Sequence, residues 1–208
     1  MKGAAALWLG PAALVLASGS TTRRDMLLAA GIPVEVIKPE IDERAVEASL
    51  LQRGLPDEDA ALELARAKAL AISSAHAQRI VLGADQTLIC DGVSHHKPAD
   101  ATAARAQIAA LSGRTHQLRS AFVLAQAGEV VAQGAQIAHL TMRNLSPDFI
   151  AAYVDAMGPS AFASVGGYQI EGLGAQLFDN VEGDHFTILG LPLLAVLAAL
   201  RGRGLLAH

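Results

Sequence analysis

An apolar run, Leu14-Val15-Leu16-Ala17, ends in Ser18-Gly19-Ser20-Thr21-Thr22, and Arg23-Arg24 follow as an apolar pattern at helical spacing begins. Strand, turn and helix N-terminus in that order make a place for an anion. The first N–H groups of the helix are unpaired, the helix dipole favours negative charge, and Ser18 and Ser20 add hydroxyl donors. Arg23 and Arg24 bring forked, permanently charged donors that suit phosphate oxygens. A phosphate-bearing ligand is the chemistry this stretch proposes.

A second concentration is Gly83-Ala84-Asp85-Gln86, directly after the apolar residues Ile80-Val81-Leu82. A carboxylate just beyond a buried strand, with glycine beside it to admit close approach, serves as a metal ligand or general base. The same residue type also satisfies N–H groups in a turn. Lys97, stiffened by Pro98, either reaches a phosphate from an extended segment or stays a solvated loop residue. Lys68 lies within Ala65-Arg66-Ala67-Lys68-Ala69, at the edge of a helix face formed by Leu62, Leu64, Ala65, Ala69 and Ile72. It reads as a partly desolvated cation that meets an anion, or as a snorkelling surface lysine. The densest glycine region, residues 166–174, fails the dinucleotide fingerprint because Leu177 stands where the third glycine belongs. Its Glu171 is acceptor-only when ionised. His95-His96 are neighbours on an extended segment and point apart, so they read as loop polar residues. No G-x-S-x-G elbow, no base partner for Cys90 and no Cys/His zinc spacing emerges.

The bulk properties narrow the class. A chain of 208 residues can bury one large core or two small lobes. A net charge of −4 argues against a broad nucleic-acid surface, so basic residues for an anionic ligand must be gathered locally. No uninterrupted apolar stretch reaches the roughly 18–20 residues of a membrane span. Residues 1–20 have the outline of a secretory signal: Lys2, an apolar segment, then Ala17-Ser18-Gly19. Pro11 splits that segment, and the single Cys90 offers no disulfide framework. The preferred reading is a buried strand after an apolar N-terminus, in a cytoplasmic protein with neither nucleic-acid nor membrane partners.

Elements must position these groups, and short apolar runs alternating with helical patterns predict an α/β or α+β domain. The spacing predicts helices over residues 21–30, 42–53, 56–75, 101–111 and 147–157, and a last one from about Leu191. Gly31, Gly54 and Gly113 stop the first, second and fourth, while Asp100 and Ser146 cap the fourth and fifth. Strands are expected over 12–17, 34–38, 79–84, 86–90, 175–180 and 185–188. A long pair, 116–126 and 130–142, reads as a hairpin through Ala127-Gly128-Glu129, and Asp91-Gly92 turns the chain back toward Lys97-Pro98.

These landmarks fit one family together. From about Leu14 onward the chain resembles the Maf-type nucleoside triphosphate pyrophosphatases. The resemblance is carried in order by Ser18-Gly19-Ser20-Thr21-Thr22-Arg23-Arg24, Ile41-Asp42-Glu43, Ala65-Arg66-Ala67-Lys68-Ala69, Gly83-Ala84-Asp85-Gln86 and Lys97-Pro98. It continues through Leu111-Ser112-Gly113-Arg114-Thr115-His116, Tyr168-Gln169-Ile170-Glu171-Gly172-Leu173-Gly174, Glu182-Gly183-Asp184 and Gly190-Leu191-Pro192. It implies a mixed α/β, two-lobed fold of the Maf/inosine-triphosphatase type, with a curved mixed sheet flanked by helices and a central substrate cleft. Residues 12–208 then form a single catalytic domain whose two lobes are not independent, after an N-terminal extension over 1–11. The resemblance implies hydrolysis of a nucleoside triphosphate to the monophosphate and pyrophosphate, with a divalent cation (Mg, Mn or Co), by a homodimer. Carried over by position, Ser18, Arg23, Lys68 and Lys97 hold the triphosphate, and Ser20, Arg24, Gln86 and Glu171 join the substrate-binding set. Glu43 and Asp85 serve the metal and the attacking water, with Asp85 the favoured base and Lys68 completing the catalytic group.

Three positions depart from the commonest family pattern. Thr21-Thr22-Arg23 stands where many members have Pro-Arg-Arg, Gln86 follows Asp85 where many have Thr, and Glu171 stands where many have Gln. All three resemble the branch acting on 7-methyl-GTP, which implies house-cleaning of a non-standard nucleotide. A carboxylate accepts from both N1–H and the exocyclic amine of guanine, and it suits a base made cationic by N7 methylation. Thr22 does not supply the Trp that some of that branch carry. The alternatives are a dTTP/UTP pyrophosphatase and a nucleotide-binding regulator of cell division or septum formation without turnover.

Overall fold

Leu14–Ala17 (β1) is buried at every position because strands flank it on both edges and side chains cover it on both faces. In the computed structural model, which describes residues 7–52 and 59–208, β1 pairs in parallel with Val34–Val36 (β2) and Val81–Cys90 (β3). The register places Val15 against Val81 and Ala17 against Gly83. Thr115–Gln126 (β5), Glu129–Met142 (β6) and Phe178–Glu182 (β7) extend a mixed seven-stranded sheet in the order β2-β1-β3-β5-β6-β7, and Val93–His95 (β4) pairs antiparallel with β3. The helices are Thr21–Ala29 (α1), Glu43–Gln52 (α2), Ala60–Ser73 (α3), Ala101–Leu111 (α4), Pro147–Met157 (α5), His185–Ile188 (α6) and Leu193–Gly202 (α7). The described residues contain no helix long and apolar enough to cross a membrane.

The described residues divide into two compact units: 7–52, 59–85, 120–136 and 185–208 in one, and 86–119 and 137–184 in the other. In the first, the two-residue period of the strands sorts the core. Leu14 and Leu16 share a cluster with Leu82, Ala84, Phe122 and Leu124 under Val196 and Leu200 of α7. On the opposite side, Ala121, Val123 and Ala125 meet Ala61, Ala65 and Ala69 of α3. Residues 7–9 belong to this unit as well: Trp8 bridges Leu206, and Leu9 N donates to Leu205 O at 2.9 Å. The second unit packs α4 and α5 with three short 3-10 turns around His116, Tyr168 and Phe178.

Both hairpin turns follow from backbone sterics. Ala127 (φ 53) and Gly128 (φ 80) form the two-residue turn between β5 and β6. Asp91 (φ 49) and Gly92 (φ 78) form the one that brings Val93 opposite Cys90. Helices α4 and α5 keep the bounds predicted for them, because the Asp100 side chain accepts from Ala103 N and that of Ser146 from Phe149 N.

Elsewhere the structure corrects the expectation. Segments 79–84 and 86–90 are one continuous strand running through Asp85. His95 lies on β4 rather than in a loop. Residues 185–188 form a helical turn, not a strand, and 175–177 belong to a 3-10 turn before β7. The helix expected from residue 56 starts at Ala60, its first residues lying outside those described; so does the end of the helix expected to reach residue 53.

Candidate active site

The 18–24 turn folds as its residue types dictate, with one reassignment. Ser20 is the N-cap of α1: its Oγ accepts from Arg23 N at 3.3 Å. The Ser18 Oγ accepts from Ser20 N at 3.3 Å and from Arg23 Nη1 at 3.0 Å, which leaves its own O–H to donate. Arg23 is buried. Its Nε donates to Gly190 O at 2.8 Å and its Nη1 to Ala84 O at 2.9 Å, leaving Nη2 as the remaining donor pair. Burial pushes this guanidinium below its ordinary value, against the opposing pull of Asp85 and Glu43. Arg24 points to the surface and pairs with Asp25 at 2.8 Å.

Lys68 is the centre of the second constellation. It is only 7% exposed, and its Nζ lies 2.6 Å from Asp85 Oδ1 and 2.8 Å from Glu43 Oε1. The snorkelling alternative is excluded by that burial. Glu43 arrives as the first residue of α2, where Asp42 is occupied in capping: its Oδ1 accepts from Ala45 N at 3.1 Å. Asp85 arrives on β3, and Gly83 decides how closely α3 lies over it. A Cβ at residue 83 would overlap the Ala65 carbonyl oxygen and stand 2.7 Å from Ala69 N. Glycine therefore lets the backbone of α3 rest on β3, and Lys68 projects from the turn that makes this contact.

The first unit thus brings together Ser18, Arg23, Glu43, Lys68 and Asp85, with Ser20 holding the turn. Gln86 follows Asp85 on β3, half-buried, in the second unit. Lys97 and Glu171 also belong to the second unit and are exposed; Lys97 precedes the buried Pro98, and Glu171 follows the buried Tyr168 in the loop before the third 3-10 turn. Arg114 pairs on the surface with Asp91 at 2.9 Å. Sequence reasoning missed the anchors of Arg23, the main-chain carbonyls of Ala84 and Gly190, since a carbonyl carries no residue signature.

The donor set fits a hard divalent cation. Glu43 and Asp85 are carboxylates that meet on one cation, the Lys68 ammonium, which marks the position as one where positive charge is stabilised. Among the described residues no cluster of three or more His, Cys, Asp or Glu forms. Two carboxylates suit Mg²⁺ or Mn²⁺ bound jointly with waters and substrate phosphates, not in a closed protein cage.

Comparison with known proteins agrees with these landmarks. The Maf-like protein family matches residues 13–203. A 7-methyl-GTP pyrophosphatase of Mesorhizobium japonicum is 52% identical over 191 residues, covering 92% of this chain and 96% of that protein. A nucleoside triphosphate pyrophosphatase of Rhodopseudomonas palustris is 50% identical over 201 residues, 97% of this chain and 98% of that one. A 7-methyl-GTP pyrophosphatase of Brucella abortus is 50% identical over 188 residues, 90% and 94% of the two chains.

Proposed function

Because the chain belongs to the Maf-like protein family, we propose that it is a nucleoside triphosphate pyrophosphatase, converting a nucleoside triphosphate and water to the monophosphate and pyrophosphate. The observation that carries this reading is the Lys68 ammonium clasped by Glu43 and Asp85, in the same unit as the Ser18–Arg23 pair. Attack at the α-phosphorus builds charge on phosphate oxygens, and preorganised cations and donors must meet it. Lys68 supplies such a charge, and the Ser18 O–H and Arg23 Nη2 supply donors. Asp85 takes the proton of the attacking water. Glu43 and Asp85 hold the divalent cation, whose chemistry when bound is to screen the polyphosphate from these carboxylates and to acidify water.

The finer reading is 7-methyl-GTP, a non-standard nucleotide whose removal is house-cleaning. It is supported by Gln86, Glu171 and the missing first arginine of the turn, and by two relatives of that name. In this reading the protein works in the cytoplasm as a homodimer, and light scattering of the purified chain tests the dimer. The decisive experiment is pyrophosphate release across natural and modified nucleotides with Mg²⁺, Mn²⁺ and Co²⁺. Turnover is expected, highest on 7-methyl-GTP. Activity on dTTP and UTP far above every guanine nucleotide overturns the substrate, and nucleotide binding without pyrophosphate release overturns the reaction.

A further inference from the structure

Lys68 and a divalent cation compete for the same oxygens. The ammonium is buried and lies 2.6 Å from Asp85 and 2.8 Å from Glu43, on a helical turn seated on β3 at Gly83. Arg23 adds a second cation within electrostatic reach of both carboxylates. Two positive and two negative side chains thus leave the free site balanced, and a divalent ion arriving alone would add uncompensated charge beside two buried cations, Lys68 and Arg23. A polyphosphate changes this. It brings the negative charge that balances the ion, offers Lys68 a new anionic partner, and supplies oxygens that two carboxylates lack.

We infer that in the free protein Lys68 holds the Glu43–Asp85 pair closed to divalent metal, which is taken up only in company with the nucleotide. This inference rests on the nucleotide reading above and adds an order of binding to it. It requires that removing the ammonium create a metal site in the absence of any nucleotide.

The test is Mn²⁺ binding to the full chain, read from the electron paramagnetic resonance of free Mn²⁺. Lys68→Met is expected to bind Mn²⁺ alone at least tenfold more tightly than the native chain, and Lys68→Met combined with Asp85→Asn to lose that gain. Lys68→Arg, which keeps a cation there, should stay as weak as the native chain. Should Lys68→Met not fold, the native chain still decides. Mn²⁺ alone should leave its unfolding midpoint in place, whereas Mn²⁺ with a triphosphate bearing an α,β-methylene bridge should raise it beyond the analogue alone. Tight Mn²⁺ binding by the native chain without nucleotide, or no gain in a folded Lys68→Met, overturns the inference. Failure of the pyrophosphatase reading is seen separately, as no pyrophosphate released from any triphosphate, since Mn²⁺ binding is measured without turnover.

Discussion

Arg23 Nη1 donates to the carbonyl of Ala84 at 2.9 Å, so a buried guanidinium grips the peptide immediately before Asp85. The same nitrogen bonds Ser18 Oγ, and Nε reaches Gly190 O at 2.8 Å. One side chain therefore ties the turn, the strand that presents Asp85 and the segment after α6. Arg23→Met removes the side-chain donor from both carbonyls, at a cost of about 1–3 kcal/mol. Arg23→Lys should rescue little, because a single ammonium cannot reproduce the fork. Urea denaturation checks this, and native stability in Arg23→Lys would contradict it.

Asp85→Asn keeps the shape of the side chain and removes its basicity. The expected effect is a fall in kcat of two orders of magnitude or more, on the scale of a lost general base. Steady-state pyrophosphate release at saturating nucleotide is the measurement. Near-normal turnover by the folded variant sinks the assignment.

Gly83→Ala places a methyl group against the Ala65 carbonyl and the backbone N of Ala69, neither of which can yield as a flexible side chain would. Overpacking of this kind costs about 1–3 kcal/mol. Because α3 carries Lys68, the variant should lose activity beyond what its lowered stability explains. Comparing kcat at a temperature where both proteins are fully folded separates the two effects.

Glu171→Gln retains size and hydrogen-bonding reach but removes the charge. On the 7-methyl-GTP reading, kcat/KM for that nucleotide falls roughly 10- to 100-fold, the scale of one charge-assisted hydrogen bond. Rates on unmethylated GTP fall less. Equal losses on both nucleotides would remove Glu171 from base recognition.

His116 gives the protein an acid-sensitive fold. The ring is wholly buried, its Nε2 lies 2.7 Å from the Tyr168 hydroxyl, and its Nδ1 has no partner among the described residues. Burial first, with His95 nearby, lowers it from 6.5 to about 4. The folded state thus binds the proton less readily than the unfolded chain. Stability from this group is complete above pH 6.5, falls as pH drops toward 4 and levels off below, by on the order of 3 kcal/mol in all. His116→Gln should flatten that part of the stability–pH curve measured by urea denaturation. An unchanged slope between pH 6.5 and 4 would show that other groups cause it.

Much of the fold was legible because it is locally encoded. The apolar run of β1, the helical spacing of α1 and the Asp100 and Ser146 caps are set within a few residues, and so is the Asp91-Gly92 turn. Short segments with weak patterns were not legible. Residues 185–188 were expected as a strand and form a helical turn, whose Thr187 carbonyl accepts from the Ser120 hydroxyl at 2.7 Å. The turn and helix start over residues 18–24 were likewise readable, but the duty of each hydroxyl and guanidinium nitrogen was not.

By itself, then, the sequence determined which groups are available: a capped turn with Arg23, a carboxylate after an apolar strand, and a lysine among alanines. Tertiary structure decided that Lys68 is buried and meets Asp85, a residue 17 positions away in the chain, along with Glu43 from another helix. It also made Arg23, expected from the sequence as a phosphate ligand, a clamp on main-chain carbonyls. The physical reason is that hydrogen bonds within one turn follow from neighbouring residues. The partner of a buried charge depends on how closely two elements pack, and here the missing Cβ of Gly83 sets that distance.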